Sequence, residues 1–168
     1  MADRVNEEGE IAPGAELLKR EFKNVNARLT GAELSLVYAP TQGFGFTAVA
    51  DTVRGTITGT DGGNLPRISP SRIGSKLTLR TGNWYADGGA THVFKQDHIA
   101  AFESATPGFT RIDASLRYRW AYAARRSADI YLLGKNLSNR DMRVHTSFLK
   151  DFAPLPGRSV FVGVTATY

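Results

Sequence analysis

Residues 157–168, GRSVFVGVTATY, decide the fold class of this chain. Every second position is apolar and the row closes on an aromatic: Val160, Val162, Val164, Ala166 and Tyr168. The positions between them are small or polar, apart from Phe161. Strict alternation of this kind predicts a β-strand with one apolar face. The alternation alone leaves open whether that face meets a protein core or lipid.

The same alternation recurs along most of the chain. In FTRIDASLRYRWAYA, residues 109–123, the even positions are apolar and the odd positions are mainly charged or small. Residues 71–84, SRIGSKLTLRTGNW, repeat the pattern. Further strands are expected at residues 24–38, 43–57, 84–96 and 128–137. The sequence therefore predicts an all-β fold of about seven strands.

Two of these strands have an unsettled orientation. In the first, Val25 and Leu29 are in phase with each other, but Leu34 and Tyr38 are out of phase with them, and Gly31 lies at the break. Either a bulge at Gly31 restores the facing, or the first half projects beyond the apolar layer. The sixth strand, ADIYLLGKNL, is apolar on both faces.

The connections alternate between short and long. Short ones are expected at residues 39–42, 81–83 and 123–127, and long ones at residues 58–71, 97–108 and 138–157. In a sandwich the charged faces would be solvated surface, whereas in a barrel they would line the interior. Short turns at one end and long loops at the other favour an outer-membrane barrel with periplasmic turns and extracellular loops.

Aromatic residues cluster near the short-turn end, where an interfacial girdle of such a barrel is expected. They are Trp84, Tyr85, Tyr118, Trp120 and Tyr122. Ordinary strand propensity is the alternative explanation.

Composition excludes several classes of protein. The chain has 168 residues, no cysteine and a formal net charge of +5, and 42% of its residues are hydrophobic. It contains no disulfide framework, no apolar run long enough for a membrane helix and no block of like charges typical of nucleic-acid tails. Its first residues, MADRVNEEGE, have no apolar stretch of the signal-peptide kind.

Catalysis has little support, and we expect no enzyme. No nucleophile elbow or phosphate-binding loop is recognisable. Asp51, Asp87 and Asp113 are expected to face inward and to pair with neighbouring Arg and Lys side chains.

The long loops contain candidate ligand or metal contacts. Asp97, His98 and Glu103 share one long loop, and His145 lies in the last one. Imidazole and carboxylate groups suit zinc, although polar residues are also ordinary in loops. His92 is in strand phase with Ala90, so we interpret it as structural or interfacial.

The order of several segments resembles the C-terminal barrel of TonB-dependent outer-membrane receptors. The resemblance covers roughly residues 20–168. It rests on residues 29–40 (LTGAELSLVYAP), 65–74 (LPRISPSRIG), 82–119 (GNWYADGGATHVFKQDHIAAFESATPGFTRIDASLRYR) and 134–158 (GKNLSNRDMRVHTSFLKDFAPLPGR). Within the family, HTSFLKD followed by PLPGR looks most like receptors for zinc and haem-type ligands.

The resemblance implies a function and a location. Complete members are barrels of about 22 strands around an N-terminal plug domain. They take up metal chelates, haem or vitamin B12 with energy delivered by TonB to the plug. The location implied is the outer membrane of a Gram-negative bacterium, with lipid and the assembly machinery as partners. Zinc or haem would be transported ligand rather than resident cofactor, and no nucleic acid is expected. The assembly signal maps onto Val160, Val162, Val164, Ala166 and Tyr168.

This chain departs from the complete pattern. We expect residues 1–22 to form a loop-like segment and residues 23–168 to form the C-terminal strands, without a plug domain through which TonB could act. The chain is then a barrel fragment of an uptake receptor. The alternatives are a small self-contained or oligomeric outer-membrane barrel and, third, a soluble β-sandwich binding module.

Overall fold

The computed structural model describes residues 24–59, 62–124 and 126–167. The segment predicted for residues 1–22 and the closing Tyr168 lie outside this described part. No helix among the described residues is long and apolar enough to cross a membrane.

Seven strands account for most of the described chain. They are β1 (Ala27–Thr41), β2 (Phe44–Ile57), β3 (Arg72–Thr81), β4 (Trp84–Val93), β5 (Phe109–Ala123), β6 (Arg126–Lys135) and β7 (Ser159–Thr167). Each strand pairs antiparallel with the next, and all seven form one sheet in sequence order. The predicted all-β meander is therefore confirmed. A sandwich needs two sheets packed face to face, so the sandwich alternative is wrong.

The two faces of the sheet differ in polarity. Residues directly opposite each other in an antiparallel pair share a face, and the register places large apolar side chains on one face, here called the outer face. Its members include Leu34, Leu36, Ile73, Leu77, Leu79, Ile112, Leu116, Ile130, Leu132, Val160, Val162 and Val164. These side chains are between 39% and 76% exposed. Exposed apolar rows of this extent need an apolar environment outside the chain.

The opposite face, here called the luminal face, carries cross-strand ion pairs. Side-chain distances between neighbouring strands are 3.0 Å for Asp51–Arg72, 3.0 Å for Asp87–Lys76 and 3.6 Å for Asp113–Lys135, and Asp113 also lies 3.2 Å from Arg111 on its own strand. The predicted pairing of the three aspartates is confirmed. Because the basic partners are about half exposed, each pair contributes at most about 1 kcal/mol to stability. Their main effect is to neutralise charge along the luminal wall.

The register settles the orientation of β6. Ile130 and Leu132 lie opposite Val164 and Val162, on the outer face. Tyr131 lies opposite Gly163 on the luminal face, and its ring occupies the space that a side chain at position 163 would need.

The register also settles the phase of β1. Pairing with β2 is continuous from Ala27 to Tyr38, and the register shifts only between Tyr38 and Thr41. The bulge proposed at Gly31 is therefore wrong. Leu29 lies opposite Gly55 on the luminal face, close to the loop that follows β2. The first half of β1 belongs to the loop end of the sheet, where an apolar outer face is not required.

Short and long connections lie at opposite ends. Only two residues follow β1, β3 and β5 before the next strand begins. The turn after β3 contains Gly82 with φ +53, a left-handed conformation that glycine adopts without strain. Three long loops lie at the other end: loop A (residues 58–71), loop B (residues 94–108) and loop C (residues 136–158). The predicted asymmetry is confirmed.

Aromatic residues gather near the turn end of the outer face. Trp84 and Tyr118 are directly opposite each other, with ring centroids 4.7 Å apart, and the Trp120 ring lies 5.7 Å from that of Tyr122. Tyr85 is an exception to the predicted girdle. It lies on the luminal face, with the Arg117 guanidinium 4.8 Å from its ring centroid.

The orientation of β6 predicts different responses at two adjacent leucines. Leu132→Arg places a charge on the outer face near the middle of a strand, which costs about 2–4 kcal/mol at the centre of a bilayer. Leu133→Arg, opposite Phe161 on the luminal face, should cost much less. The free energy of unfolding is measured by urea titration in lipid vesicles, in a receptor that carries residues 24–168. Equal losses for the two variants would contradict the assignment of the faces.

Candidate functional site

The three long loops meet at one end because β2, β4 and β6 all end there. Asn64 Nδ2 in loop A donates to Ile99 O in loop B at 3.1 Å. Gln96 Nε2 in loop B donates to Ile68 O in loop A at 2.8 Å. Loops A and B therefore pack against each other and form one continuous surface.

Glu103 in loop B is the central group of this surface. Its Oε1 accepts a hydrogen bond from the Arg67 backbone N–H in loop A at 3.0 Å. Its Oε2 accepts one from the Ala100 N–H at 3.1 Å. Two side chains of loop C complete its surroundings: His145 Nε2 lies 3.2 Å and Lys150 Nζ 3.8 Å from Oε1. Glu103 thereby contacts all three loops.

Glu103, His145 and Lys150, here called the Glu103 cluster, are buried. Their side chains are 10%, 1% and 8% exposed. Lys150 Nζ also donates to the Ser104 carbonyl oxygen. Removing one charge from a buried ion pair leaves the other without compensation and is strongly destabilising. The three groups therefore depend on one another, and they bind loop C to loop B.

The hydrogen bonds around His145 indicate which ring nitrogen carries its proton. Nδ1 lies 2.8 Å from Thr106 Oγ1 and 3.3 Å from Lys150 Nζ. Since an ammonium group can only donate, Nδ1 accepts and the proton belongs on Nε2, facing Glu103. Nε2 lies at ion-pair distance from Glu103 but makes no aligned hydrogen bond within the described chain.

Its surroundings keep His145 neutral at neutral pH. Burial is the largest cause that lowers the pKa of His145 from its ordinary value of 6.5, and the Lys150 cation acts in the same direction. Arg67 adds to the lowering of this pKa, whereas Glu103 and Asp151 oppose it. The net lowering of this pKa favours the neutral imidazole.

Further contacts fix loop C. Ser104 Oγ in loop B donates to the Asp151 carboxylate, with distances of 2.9 Å and 3.0 Å to its two oxygens. The Arg67 guanidinium of loop A lies over the Phe148 ring of loop C. Loop C is thus attached to both other loops.

Asn136 anchors the two ends of loop C. It has φ 47, a conformation in which asparagine is enriched, and is 1% exposed. Its backbone N–H donates to Asp113 Oδ1 at 2.9 Å. Its Nδ2 donates to Arg140 O at 3.0 Å and to Pro156 O at 3.2 Å. The sequence did not predict this role of Asn136, although an asparagine directly after a strand was a signal for it. It also missed Lys150, for which no local signal existed.

The structure divides the four predicted contact residues into two pairs. Asp97 Oδ1 and His98 Nδ1 lie 3.1 Å apart, and both side chains are about half exposed. Glu103 and His145 form the buried pair. In the described part of the chain, no group of three or more His, Cys, Asp or Glu side chains could hold a metal ion, and the Lys150 cation beside the buried pair opposes a second cation. The role of the four residues in ligand contact stays a prediction.

His92 lies on the outer face near the loop end. Its Nδ1 is 2.8 Å from Thr110 Oγ1, and its ring meets that of Phe94 edge to face at 4.6 Å. These contacts agree with a structural or interfacial role.

A cavity of about 550 Å³ lies between the loop ends of β1 and β2 and loops A and B. Gly31, Gly55 and Ile68 are among its lining residues, with Lys95, Asp97 and His98 on the loop B side. The exposed Asp97–His98 pair therefore faces a space large enough for a small ligand, whereas the Glu103 cluster does not line it.

Comparison with known proteins shows which protein family the sheet belongs to. Residues 6–137 match the family model described as TonB dependent receptor-like, beta-barrel. The chain therefore belongs to the β-barrel family of TonB-dependent receptors. This membership indicates an outer-membrane protein of a Gram-negative bacterium, from a family of transporters rather than enzymes.

A solved structure, the copper transporter OprC, has a similar fold. The TM-score is 0.72 at 24% sequence identity, and the match covers 86% of this chain. It covers 24% of the OprC chain, so the present chain spans about a quarter of that protein's length. The likeness supports a β-barrel fold for the sheet.

The central position of Glu103 predicts that its charge holds the loops closed. Glu103→Gln leaves Lys150 buried without its partner, for which about 3–5 kcal/mol is typical. We expect much faster limited proteolysis within loop C and unchanged amide exchange in the strands. Asp97→Asn, in the exposed pair, is the matched control and should change stability by less than about 1 kcal/mol. Equal proteolysis of the two variants would show that Glu103 is not central.

The lowered pKa of His145 predicts a pH-dependent contact between loops B and C. With the loops open the imidazole regains a pKa near 6.5 and takes up a proton more readily than when closed, so acidification favours the open loops. The contact should be fully present above pH about 6.5 and weaken as the pH falls below it. Amide-exchange protection factors of loop C, corrected for the intrinsic effect of pH, measure this change. His145→Gln should abolish the dependence and His98→Gln should preserve it; the reverse result would contradict the assignment.

Proposed function

Because the chain belongs to the TonB-dependent receptor barrels, we propose that it forms the C-terminal wall and part of the mouth of a receptor for active uptake of a scarce ligand. Residues 23–168 would supply the strands, and residues 1–22 would form a loop-like segment before them. The observation that carries this proposal is that Glu103 joins the three long loops at one end of the sheet through a hydrogen bond and two ion-pair contacts. The opposite end closes in short turns.

The ligand class proposed is a metal ion, a metal chelate or haem. The resemblance of residues 145–158 to zinc and haem-type receptors supports it, as does the fold shared with a protein named as a copper transporter. Imidazole and carboxylate donors suit such metals. A structural zinc site has four protein ligands, whereas the Asp97–His98 pair offers two. Two donors suit transient capture of a ligand that must be released again.

The four loop residues then have two different roles. Asp97 and His98 are exposed and line the cavity, so they are the proposed ligand contacts. Glu103 and His145 are buried and bonded between loops, so they hold the mouth in shape. A mouth fixed before binding loses less conformational entropy when the ligand arrives.

The remaining partners follow from the family. The outer-face rows would contact lipid. Val160, Val162, Val164, Ala166 and Tyr168 would present the assembly signal to the outer-membrane machinery. TonB would act through a plug domain and not through the strands described above.

A chimera tests the proposal. Residues 24–168 replace the matching end of an intact metal receptor, and growth of a receptor-deleted bacterium is followed with scarce zinc, copper or haem. We expect the chimera to restore growth on at least one of the three ligands. The 168-residue chain alone, even with an export signal added, should not restore growth, because a sheet without a plug cannot couple uptake to TonB.

Point variants of the chimera locate the contact. Asp97→Asn combined with His98→Gln should lower ligand affinity about tenfold, equivalent to about 1.4 kcal/mol, with the amount of inserted receptor unchanged. Asp141→Asn is the control, since Asp141 is an exposed loop C carboxylate that pairs with Arg143. An inserted chimera that transports none of the three ligands would contradict the proposed ligand class.

A further inference from the structure

The acidic side chains of the described strands all lie on the luminal face. The register places them there, and they are Glu33, Asp51, Asp87, Asp113 and Asp129. The outer face of these strands therefore carries no carboxylate. It does carry two exposed basic side chains near the loop end, Arg28 on β1 and Arg54 on β2. A face with exposed arginines and no acid attracts anions.

Arg28 and Arg54 are close to each other. Arg28 lies directly opposite Thr56, and Arg54 lies directly opposite Thr30, so the two arginines are diagonal neighbours on adjacent strands. Diagonal neighbours are about 7–8 Å apart, a spacing that long side chains can bridge. Neither guanidinium forms an ion pair within the described part of the chain. Two cations at this spacing repel each other, and an anion bound between them removes the repulsion.

Hydroxyl groups surround the two arginines. Thr30 and Thr56 lie opposite them, and Thr52 lies on the same face, with its Oγ1 2.7 Å from Ser71 Oγ. Arg54, Thr30, Thr52 and Ser71 also line the cavity of about 550 Å³ described above, so open space adjoins this guanidinium. Arginine binds phosphate through two parallel N–H donors, and hydroxyl groups can donate further hydrogen bonds. The set of donors therefore fits a phosphate group.

The apolar rows of the outer face begin directly beside these donors. Along β2 the outer-face residues change from Arg54 and Thr52 to Ala50, and Ala50 lies between Leu34 on β1 and Ile73 on β3. Arg54 is separated from Ala50 by about 14 Å along the strand. At the strand tilt of an outer-membrane barrel this is about 10 Å along the membrane normal, and an arginine side chain can reach back toward the interface. The two guanidinium groups are then at the level of the lipid headgroups.

A molecule with both a phosphate group and hydrocarbon chains matches the whole of this surface. Its phosphate would meet Arg28 and Arg54, while its chains would lie along Leu34 and Ile73, which are 67% and 53% exposed. A free phosphate would gain from the arginines alone. We propose that Arg28 and Arg54 form a binding site for the phosphate of an anionic membrane lipid. The inference rests on the lipid contact of the outer face under the proposed function, and not on the identity of the transported ligand.

The luminal face shows by contrast why the outer arginines need an anion. There Arg72 and Lys76 each lie 3.0 Å from an aspartate on a neighbouring strand. The outer pair lacks such compensation among the described residues. A lipid phosphate supplies it, and it would also hold the loop ends of β1 and β2 at the membrane surface, beside the wall of the cavity.

Lipid titration of the chimera that contains residues 24–168 tests the proposal. The inserted chimera is purified in a nonionic detergent, and the fraction that carries a bound probe is measured by native mass spectrometry. Phosphatidic acid has a phosphate and chains, diacylglycerol lacks the phosphate, and glycerol 3-phosphate lacks the chains. Each arginine near a membrane surface contributes a factor of about five, so phosphatidic acid should bind about 30-fold more tightly than diacylglycerol. It should also bind more tightly than glycerol 3-phosphate.

Variants locate the site. Arg28→Gln and Arg54→Gln should each weaken phosphatidic acid binding about fivefold, and the double variant about 30-fold. Arg54→Lys keeps the charge but not the two parallel donors, so its loss should be smaller than that of Arg54→Gln. Arg80→Gln is the matched control, because Arg80 is exposed on the luminal face and has no ion pair within the described chain. Resistance of each variant to unfolding in cold detergent confirms that its barrel is closed.

Four results would overturn the proposal. Diacylglycerol may bind as tightly as phosphatidic acid, the double variant may bind unchanged, or Arg80→Gln may lose as much as Arg54→Gln. Equally tight binding of glycerol 3-phosphate would indicate a site for a soluble anion instead of a lipid.

Uptake is measured separately from lipid binding. An inserted chimera that binds phosphatidic acid but transports nothing contradicts the proposed ligand class alone. One that restores growth without preferring phosphatidic acid contradicts the lipid site alone. A chimera that does not insert contradicts the lipid contact of the outer face and the site with it.

Discussion

The structure depends on one constraint: every backbone N–H and C=O of a strand in lipid must be hydrogen-bonded to a neighbouring strand. The ladder from β1 to β7 meets it wherever neighbouring strands are paired, and within the described residues the outer edges of β1 and β7 have no partner strand. Because side chains alternate along each paired strand, the ladder also sorts them into an apolar outer face and a polar luminal face. The same antiparallel order brings the ends of β2, β4 and β6 together, and the three long loops therefore begin side by side.

The loop end is held by a different kind of interaction. Glu103, His145 and Lys150 are buried charged or titratable groups. The cost of burying each of them is offset by its contacts with the other two. Such a network contributes more to a unique arrangement than to net stability. The sheet supplies the scaffold, and the Glu103 cluster gives the mouth one shape. The stability of the loops is consequently local and can change without disturbing the strands.

Sequence reasoning located the strands because a period of two is visible in any half-apolar strand, as in Ile112–Tyr122. It could not orient β6, where Tyr131, Leu132 and Leu133 are apolar on both faces and only the register with Phe161 and Val162 decides. It identified Glu103 and His145 as candidates by residue type, but grouped them with the exposed Asp97–His98 pair. Contacts between loops that are distant in sequence have no periodicity, and burial is fixed by how the loops fold over one another.

Charged side chains are arranged differently along the wall and at the rim. Along the wall Asp51, Asp87 and Asp129 are each matched by a basic side chain on a neighbouring strand. At the rim the Asp97–His98 pair is exposed and faces a cavity. The same residue types in the Glu103 cluster are occupied by one another. A histidine and a carboxylate thus lie exposed beside a cavity in one loop position and buried between loops in another, and burial, not residue type, separates the two environments.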